Sequence, residues 1–286
     1  MAERGETNDS GAEETPATGV SWSAVTDVGR FRRENEDAFL ALEMNHREVI
    51  RLGKYGEASF ADGDFIFAVS DGMGGHNAGE FASRIAVEKI TELLPTAFRL
   101  EAQGLQRGAS DLLEQLIQEI HTEIQELGQA YEELDGMGAT LSLCWFSPGW
   151  MHFCHVGDSR VYLLPESGGI KQVTEDHTHV GWLLRNGKIS AAQARVHPAR
   201  NQLSQALSAN PRTIAPQLGA VGCDPGDRIV ICSDGLYEGL SDNNVEYFVR
   251  TGGKVEDGLT AAETLVKTSV QNSGKDNTTA VVVEVV

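Results

Sequence analysis

The chain has 286 residues and 41% hydrophobic content, enough to bury a substantial core as one large domain or two small ones, a single domain with a small insertion being preferred. Its 42 acidic and 23 basic residues give a net charge of −19, which disfavours nucleic acid as a partner because no basic stripe offsets phosphate charge. Four cysteines form no C-x-x-C pair, no apolar run approaches the roughly 18 to 20 residues that span a bilayer, and the N-terminus has no basic start followed by an apolar segment, so a cytoplasmic protein without membrane contact is predicted.

Residues 1–19 are rich in Glu, Thr, Gly, Ser and Ala without an aromatic side chain, and are predicted to be a disordered acidic tail ahead of one folded domain over 20–286. Strands are predicted at Trp22 to Val28 and Ala38 to Leu42, with a polar hairpin or extended surface loop over Glu43 to Asp64. Phe65 to Val69 is a short apolar run leading into Asp and Gly, the signature of a buried strand. Ala82, Ile85, Ala86, Ile90 and Leu93 recur at helical spacing and predict a helix from about Ala78 to Leu94. Leu113, Leu116, Ile117, Ile120, Ile124 and Leu127 predict a second, from about Gly108 to Leu127. The pattern then turns to strands at Ala139 to Phe146, Met151 to Val156, Arg160 to Leu164 and Ile170 to Val173. Residues 176–216 break this rhythm, with a short helix near Ser190 to Arg195, and read as an inserted flap. Strands at Thr213 to Val221 and Arg228 to Cys232, helices at Asp242 to Arg250 and Glu256 to Asn272, and a last strand from Thr278 complete a predicted α+β layered fold, mainly antiparallel.

Carboxylates gather where these apolar runs begin or end: Glu36 and Asp37, Asp71, Asp158, Asp234 and Asp276. A single Asp-Gly pair is an ordinary turn. Repeated at one strand end after another, the acids would repel one another unless cations sat between them. Oxygen donors without paired His or Cys select hard ions, Mg²⁺ or Mn²⁺ over Zn²⁺. If Asp71, Asp234, Asp276 and Glu36 share a pocket with two such ions, a water held between the ions loses a proton near neutral pH and attacks phosphorus in line. Arg32 or its neighbour Arg33 can offer a planar fork to phosphate oxygens. The Gly72 carbonyl is a candidate ligand, because glycine lets the backbone come close. His76 is a candidate proton donor and His177 a weaker one, whereas His152 and His155, three apart in one strand, point to opposite faces and make poor joint ligands.

In this order, the motifs Arg32 to Asp37, Asp71 to Gly79, Gly138-Ala139-Thr140, Gly157-Asp158-Ser159-Arg160, Ser233-Asp234-Gly235 and Asp276-Asn277 resemble the metal-dependent protein phosphatases of the 2C type, the PPM family, in its bacterial form. The resemblance covers about Ser21 to Val286. It implies a four-layer α-β-β-α sandwich of two mainly antiparallel sheets flanked by helices, and hydrolysis of phosphoserine and phosphothreonine on proteins with Mn²⁺ or Mg²⁺. It further implies Asp71 as the ligand bridging two core ions with the Gly72 carbonyl beside it, Asp234 and Asp276 on the first ion, and Glu36 on the second with Asp37 in support. Asp158, with Asp234, matches the holder of a third, weaker ion, and Arg32 rather than Arg33 matches the residue that takes the substrate phosphate. Met73 stands where animal-type members have a histidine, which leaves protonation of the leaving group to a metal-bound water or to His76. By the same analogy the flap influences substrate choice, and a Ser/Thr kinase and its substrates are expected partners in signalling. Two rival readings are a catalytically silent phosphoprotein-binding domain, whose mark would be lost ligands, and a hydrolase of small phosphoesters.

Overall fold

Strand β5 (Asp64–Met73) is apolar on both faces because it is covered on both. In the computed structural model, which describes residues 17–45, 47–74, 78–102 (backbone alone from 95), 108–210, 213–252 and 258–286, Ile66 and Ala68 face a helical layer while Phe65, Phe67 and Val69 face a second sheet. The N-terminal half supplies β1 (Gly19–Asp27), β2 (Asp37–Met44), β3 (Val49–Arg51), β4 (Tyr55–Ser59), β5, α1 (Ala78–Ala102), α2 (Ala109–Ala130), β6 (Gly138–Ala139), β7 (Leu141–Ser147) and β8 (Trp150–Val156). The remainder supplies β9 (Arg160–Leu164), β10 (Lys171–Gln172), α3 (His179–Arg185), α4 (Ala191–Arg195), β11 (Leu207–Ser208), β12 (Gln217–Gly222), β13 (Arg228–Cys232), α5 (Asp234–Gly239), α6 (Asp242–Thr251), α7 (Ala261–Asn272) and β14 (Thr278–Val285).

Among the described residues all the strand pairings are antiparallel. One sheet has six strands in the order β10-β9-β13-β14-β1-β4; the other has eight, with β5 central between β2 and the β6–β7 segment. Three apolar layers hold four structural layers together. Helices α1 and α2 pack Ile90, Leu113, Ile117 and Ile120 on the outer face of the larger sheet; Trp22, Phe65, Phe67 and Phe146 fill the space between the sheets; and Leu236, Val245, Leu265 and Val266 seal α5 to α7 against the smaller sheet. Full burial of each large apolar side chain stabilises by ~1.5–3 kcal/mol. The four cysteines, Cys144, Cys154, Cys223 and Cys232, are buried and free, as small apolar residues of these layers. No described helix is long and apolar enough to cross a membrane.

The structure departs from the sequence expectations where elements are short or polar. In the 43–64 connection the hairpin alternative holds for β2 and β3, which pair antiparallel, and the added strand β4 pairs with β1; β3 has only three residues and β4 is polar and partly exposed, so neither shows alternation. Helix α1 runs past Leu94 and Pro95 to Ala102. Helix α5 was not expected: Asp-Gly-Leu-Tyr-Glu-Gly has poor helix propensity, and tertiary contact holds it, with the Ser269 hydroxyl reaching the carbonyls of Gly235 (2.8 Å) and Leu236 (3.0 Å). In the 176–216 segment, α3 forms around Trp182 and β11 joins β6, so the flap is stitched to the larger sheet. The expected tail lies outside the described residues as far as residue 16, while Thr18 and Gly19 donate backbone hydrogen bonds to Val286.

Candidate metal centre

The two strands that carry the first acids are in register. Asp37 opens β2 directly opposite Asp71 on β5, so pairing of these apolar strands brings two carboxylates together at one sheet end. Beyond Asp71 the neighbouring strand breaks at Thr140, between β6 and β7. Thr140 fills that break: its hydroxyl accepts from the Asp71 amide (3.0 Å), its amide donates to the Asp71 carbonyl (2.8 Å), and its hydroxyl meets the Ser159 hydroxyl (2.6 Å). That last bond ties Asp71 to the β8–β9 turn, which carries Asp158. The turn requires glycine before the acid, because Gly157 has φ 113° and a Cβ there would lie 2.6 Å from Thr140.

Asp234 and Asp276 arrive from the smaller sheet. Asp234 opens α5 directly after β13, and Ser233 donates to Asp37 Oδ2 (2.7 Å) across the two sheets. Asn277, directly before β14, clamps the loop that carries Glu36: its Oδ1 accepts from the Glu36 amide (2.8 Å) and its Nδ2 donates to the carbonyls of Val28 (3.0 Å) and Glu34 (2.9 Å). Glu36 reaches across the start of α1, where a Cβ on Gly79 would meet its Oε1 at 2.5 Å. Gly72 donates its amide to the Glu36 carbonyl (3.0 Å).

Left without cations, these acids resist ionisation. Burial, then Asp37 and Asp234, push the Asp71 carboxyl well above the usual range; burial, then Asp158 and Asp276, do the same to Asp234. Asp158 is pushed up to about 7 by burial and Asp176, and Asp37 to about 6 by burial against opposing bonds from Ser233 and Thr279. Burial raises Glu36 as well, with Arg32 opposing. Asp37 Oδ1 and Asp234 Oδ1 are buried with no hydrogen-bond partner, a costly condition that a cation removes. The donors are all oxygen, as a hard divalent ion requires. Among the described residues no three His, Cys, Asp or Glu side chains close into a finished cage. Instead the Arg32 guanidinium stands as the cation beside two of the acids, 2.8 Å from Asp276 Oδ2 and 4.0 Å from Glu36 Oε2. Charge, orphaned oxygens and donor type therefore fit divalent cations.

Comparison with known proteins gives the family. The family model described as "Protein phosphatase 2C" matches residues 55–268. The chain belongs to the protein phosphatase 2C family. The serine/threonine phosphatase stp of Listeria monocytogenes is 31% identical over 260 residues, covering 91% of this chain and 93% of that protein. The serine/threonine protein phosphatase PstP of Mycobacterium tuberculosis is 30% identical over 270 residues, covering 93% of this chain but only 45% of the relative, so the chain spans about half of that protein's length. A crystal structure of the PstP catalytic domain, in complex with 2 manganese ions, superposes with a TM-score of 0.71 at 27% identity over 94% of this chain and 99% of that one.

Of the expected residues in this protein phosphatase 2C chain, Asp37, Asp71, Asp158, Asp234 and Asp276 act on one another's charge, and Glu36 lies beside Asp276 and Arg32. Arg33 is exposed and makes no ion pair among those described. His76 lies outside the described residues. His177 is committed elsewhere: its ring packs 4.9 Å from His155, its Nδ1 accepts from the Gly157 amide (3.2 Å), and burial lowers its pKa. His155 and His152 do face apart, the first bonded to Ser142 and the second against Trp145.

Arg160 and Tyr237 were not expected. Arg160 binds Asp176, at the flap root, through two parallel bonds of 2.9 and 2.7 Å, and lies 3.6 Å above the Tyr237 ring, whose hydroxyl donates to the Asp158 carbonyl (3.1 Å). The motif placed Arg160 next to Asp158, but only the fold brings Asp176 and Tyr237 to it. Arg160→Ala leaves Asp176 largely buried without its cation, and urea unfolding is expected to show a loss of about 3 kcal/mol.

Proposed function

We propose that the chain hydrolyses phosphoserine and phosphothreonine on proteins, using divalent cations held by the acids at the sheet ends. The observation that carries this reading is the set of mutually repelling carboxylates in which Asp37 Oδ1 and Asp234 Oδ1 have no partner. The catalytically silent alternative predicts lost ligands, and every acid of the motif is present.

Asp71 is assigned to both core ions with the Gly72 carbonyl beside it, Asp234 and Asp276 to the first, Glu36 with Asp37 in support to the second, and Asp158 with Asp234 to a third, weaker ion. Mn²⁺ or Mg²⁺, when bound, supplies Lewis acidity toward phosphoryl oxygens and lowers the pKa of a water toward neutrality. The protein's own part is to hold and orient. Asn277 fixes the loop of Glu36 and Thr140 the end of β5 at Asp71, each side chain accepting from a backbone amide, and the sandwich keeps the acids from spreading apart. Arg32, exposed beside Asp276, presents the planar fork that takes the substrate phosphate and sets it in line. His76 is the proposed donor of a proton to the leaving serine or threonine oxygen. On this reading the enzyme works in the cytoplasm, where its four cysteines stay reduced, and in signalling it opposes a Ser/Thr kinase on that kinase's substrates.

An aryl phosphate and a phosphothreonine peptide, assayed with Mn²⁺, with Mg²⁺ and with excess chelator, test the reading. Both substrates should be hydrolysed with metal and neither with chelator. Activity that survives chelation overturns the metal-dependent reading, and turnover of the aryl phosphate alone favours the small-phosphoester hydrolase.

A further inference from the structure

A cavity of about 640 Å³ opens between the flap and the core, lined on the flap by α3, α4 and Arg195 and on the core by α5 and the loop before β14, and it reaches Asp158 and Asp234. Its size suits several side chains rather than a lone phosphate. A ligand in it would be continuous with whatever occupies the metal centre.

Most charges on its walls are already answered. Arg160 is paired with Asp176 (2.7 Å) and Arg200 with Glu238 (3.0 Å), while Asp242 accepts from the neutral Tyr162 hydroxyl (3.4 Å). Asp158 and Asp234 belong to the metal centre. Two wall cations are left, Arg195 and Lys275, both exposed and with no ion pair or hydrogen bond from their side chains among the described residues. Other exposed cations, Arg33 among them, are also without an ion pair, but these two stand on opposite sides of one cavity. Lys275 precedes Asp276, so its side of the cavity adjoins the metal centre directly. At physiological ionic strength, screening over about 8 Å mutes the repulsion an acidic ligand feels from the chain as a whole, while contact pairs inside the cavity keep their attraction.

We propose that this cavity receives the stretch of phosphoprotein flanking the phosphoresidue, and that Arg195 and Lys275 select stretches bearing carboxylates. The proposal rests on the phosphatase reading above and names its substrate class. An unpaired surface cation contributes little alone, but two acting on one acidic stretch should favour it about five-fold.

The test uses phosphothreonine peptides matched except for Glu, Gln or Lys beside the phosphoresidue, with an aryl phosphate as a substrate that has no flanks. With Mn²⁺, the wild-type chain should show kcat/KM about five-fold higher for the Glu peptide than for the Gln peptide, the difference residing in KM and shrinking as salt is raised. Within the double variant Arg195→Glu/Lys275→Glu, the order of Glu and Lys peptides should invert, and each single Gln variant should lose part of the preference. Both positions are exposed, so the fold tolerates the changes. Aryl phosphate turnover without discrimination among the peptides overturns the inference and leaves the phosphatase reading standing, as does a Glu to Gln ratio that survives charge reversal. Failure to hydrolyse any of these substrates overturns both.

Discussion

Asp234→Asn is expected to lower Mn²⁺-dependent kcat/KM by about a thousand-fold and at the same time to make the chelated protein more stable. The two effects have one cause. Asp234 Oδ1 is buried with no hydrogen-bond partner, and burial, Asp158 and Asp276 hold its pKa well above the usual range. Without cations the fold must therefore either bear that charge or hold a proton that the unfolded chain has released, a burden in both cases, whereas with them Asp234 is the ligand assigned to both the core pair and the third ion. The amide keeps the shape and removes the charge. Steady-state kinetics with Mn²⁺ and thermal unfolding in chelator read the two effects separately, and the melting temperature should rise by about 3 °C. An aspartate with a purely structural role would lose activity and stability together. Activity within ten-fold of wild type, or a lower melting temperature in chelator, would sink the assignment.

The layers of the sandwich were legible because their signals are long. Leu113, Leu116, Ile117, Ile120 and Ile124 mark one helical face over several turns, and Phe65 to Val69 is apolar without interruption because both faces of β5 are covered. What escaped the sequence depends on neighbours far along the chain. Helix α5 forms because Ser269, 34 residues beyond Gly235, caps its carbonyls, and β4 exists as the pairing partner of β1. The same division runs through the site. The acids announce themselves by following or opening apolar runs, a local property. Their supports do not: Thr140 matters through Asp71 and Ser159, and Asn277 through Glu36, 241 residues away. A neighbouring motif residue can flag such a support, as Gly138-Ala139-Thr140 and Asp276-Asn277 did, but its task appears only once the strands are paired. Arg32 shows the limit most clearly. Its spacing from Glu36 was readable, yet its bond to Asp276 joins residues 244 apart.

Raising the pH from 6.5 to 8 should destabilise the chelated protein and leave the Mn²⁺-loaded protein little changed. Asp158 is raised from 3.8 to about 7 by burial and Asp176, and Asp71 and Asp234 lie well above their ordinary values. Between the unfolded and folded pKa values the native state holds protons that the unfolded chain has released, so stability falls as pH rises through the folded value. Below pH 6.5 two groups act the other way: burial lowers His155 to about 3 and also lowers His177, and an unfolded histidine takes up a proton there that the native one refuses. Above 6.5 each unfolded imidazole still gives up about half a proton, a gain that for the two together roughly offsets the loss of about 1 kcal/mol at Asp158. Asp71 and Asp234, both held well above their ordinary values, therefore set the net slope. Asp37, raised to about 6, has released most of its proton before the window opens. Mn²⁺ binds the ionised acids, so its stabilisation grows as the protons leave. Melting curves in chelator and in Mn²⁺ should therefore diverge with rising pH. Curves that stay parallel from 6.5 to 8, or a chelated protein that gains stability over that range, would mean that the acids are already balanced by groups of the protein itself, Arg32 foremost, and that cations are not what their charge awaits.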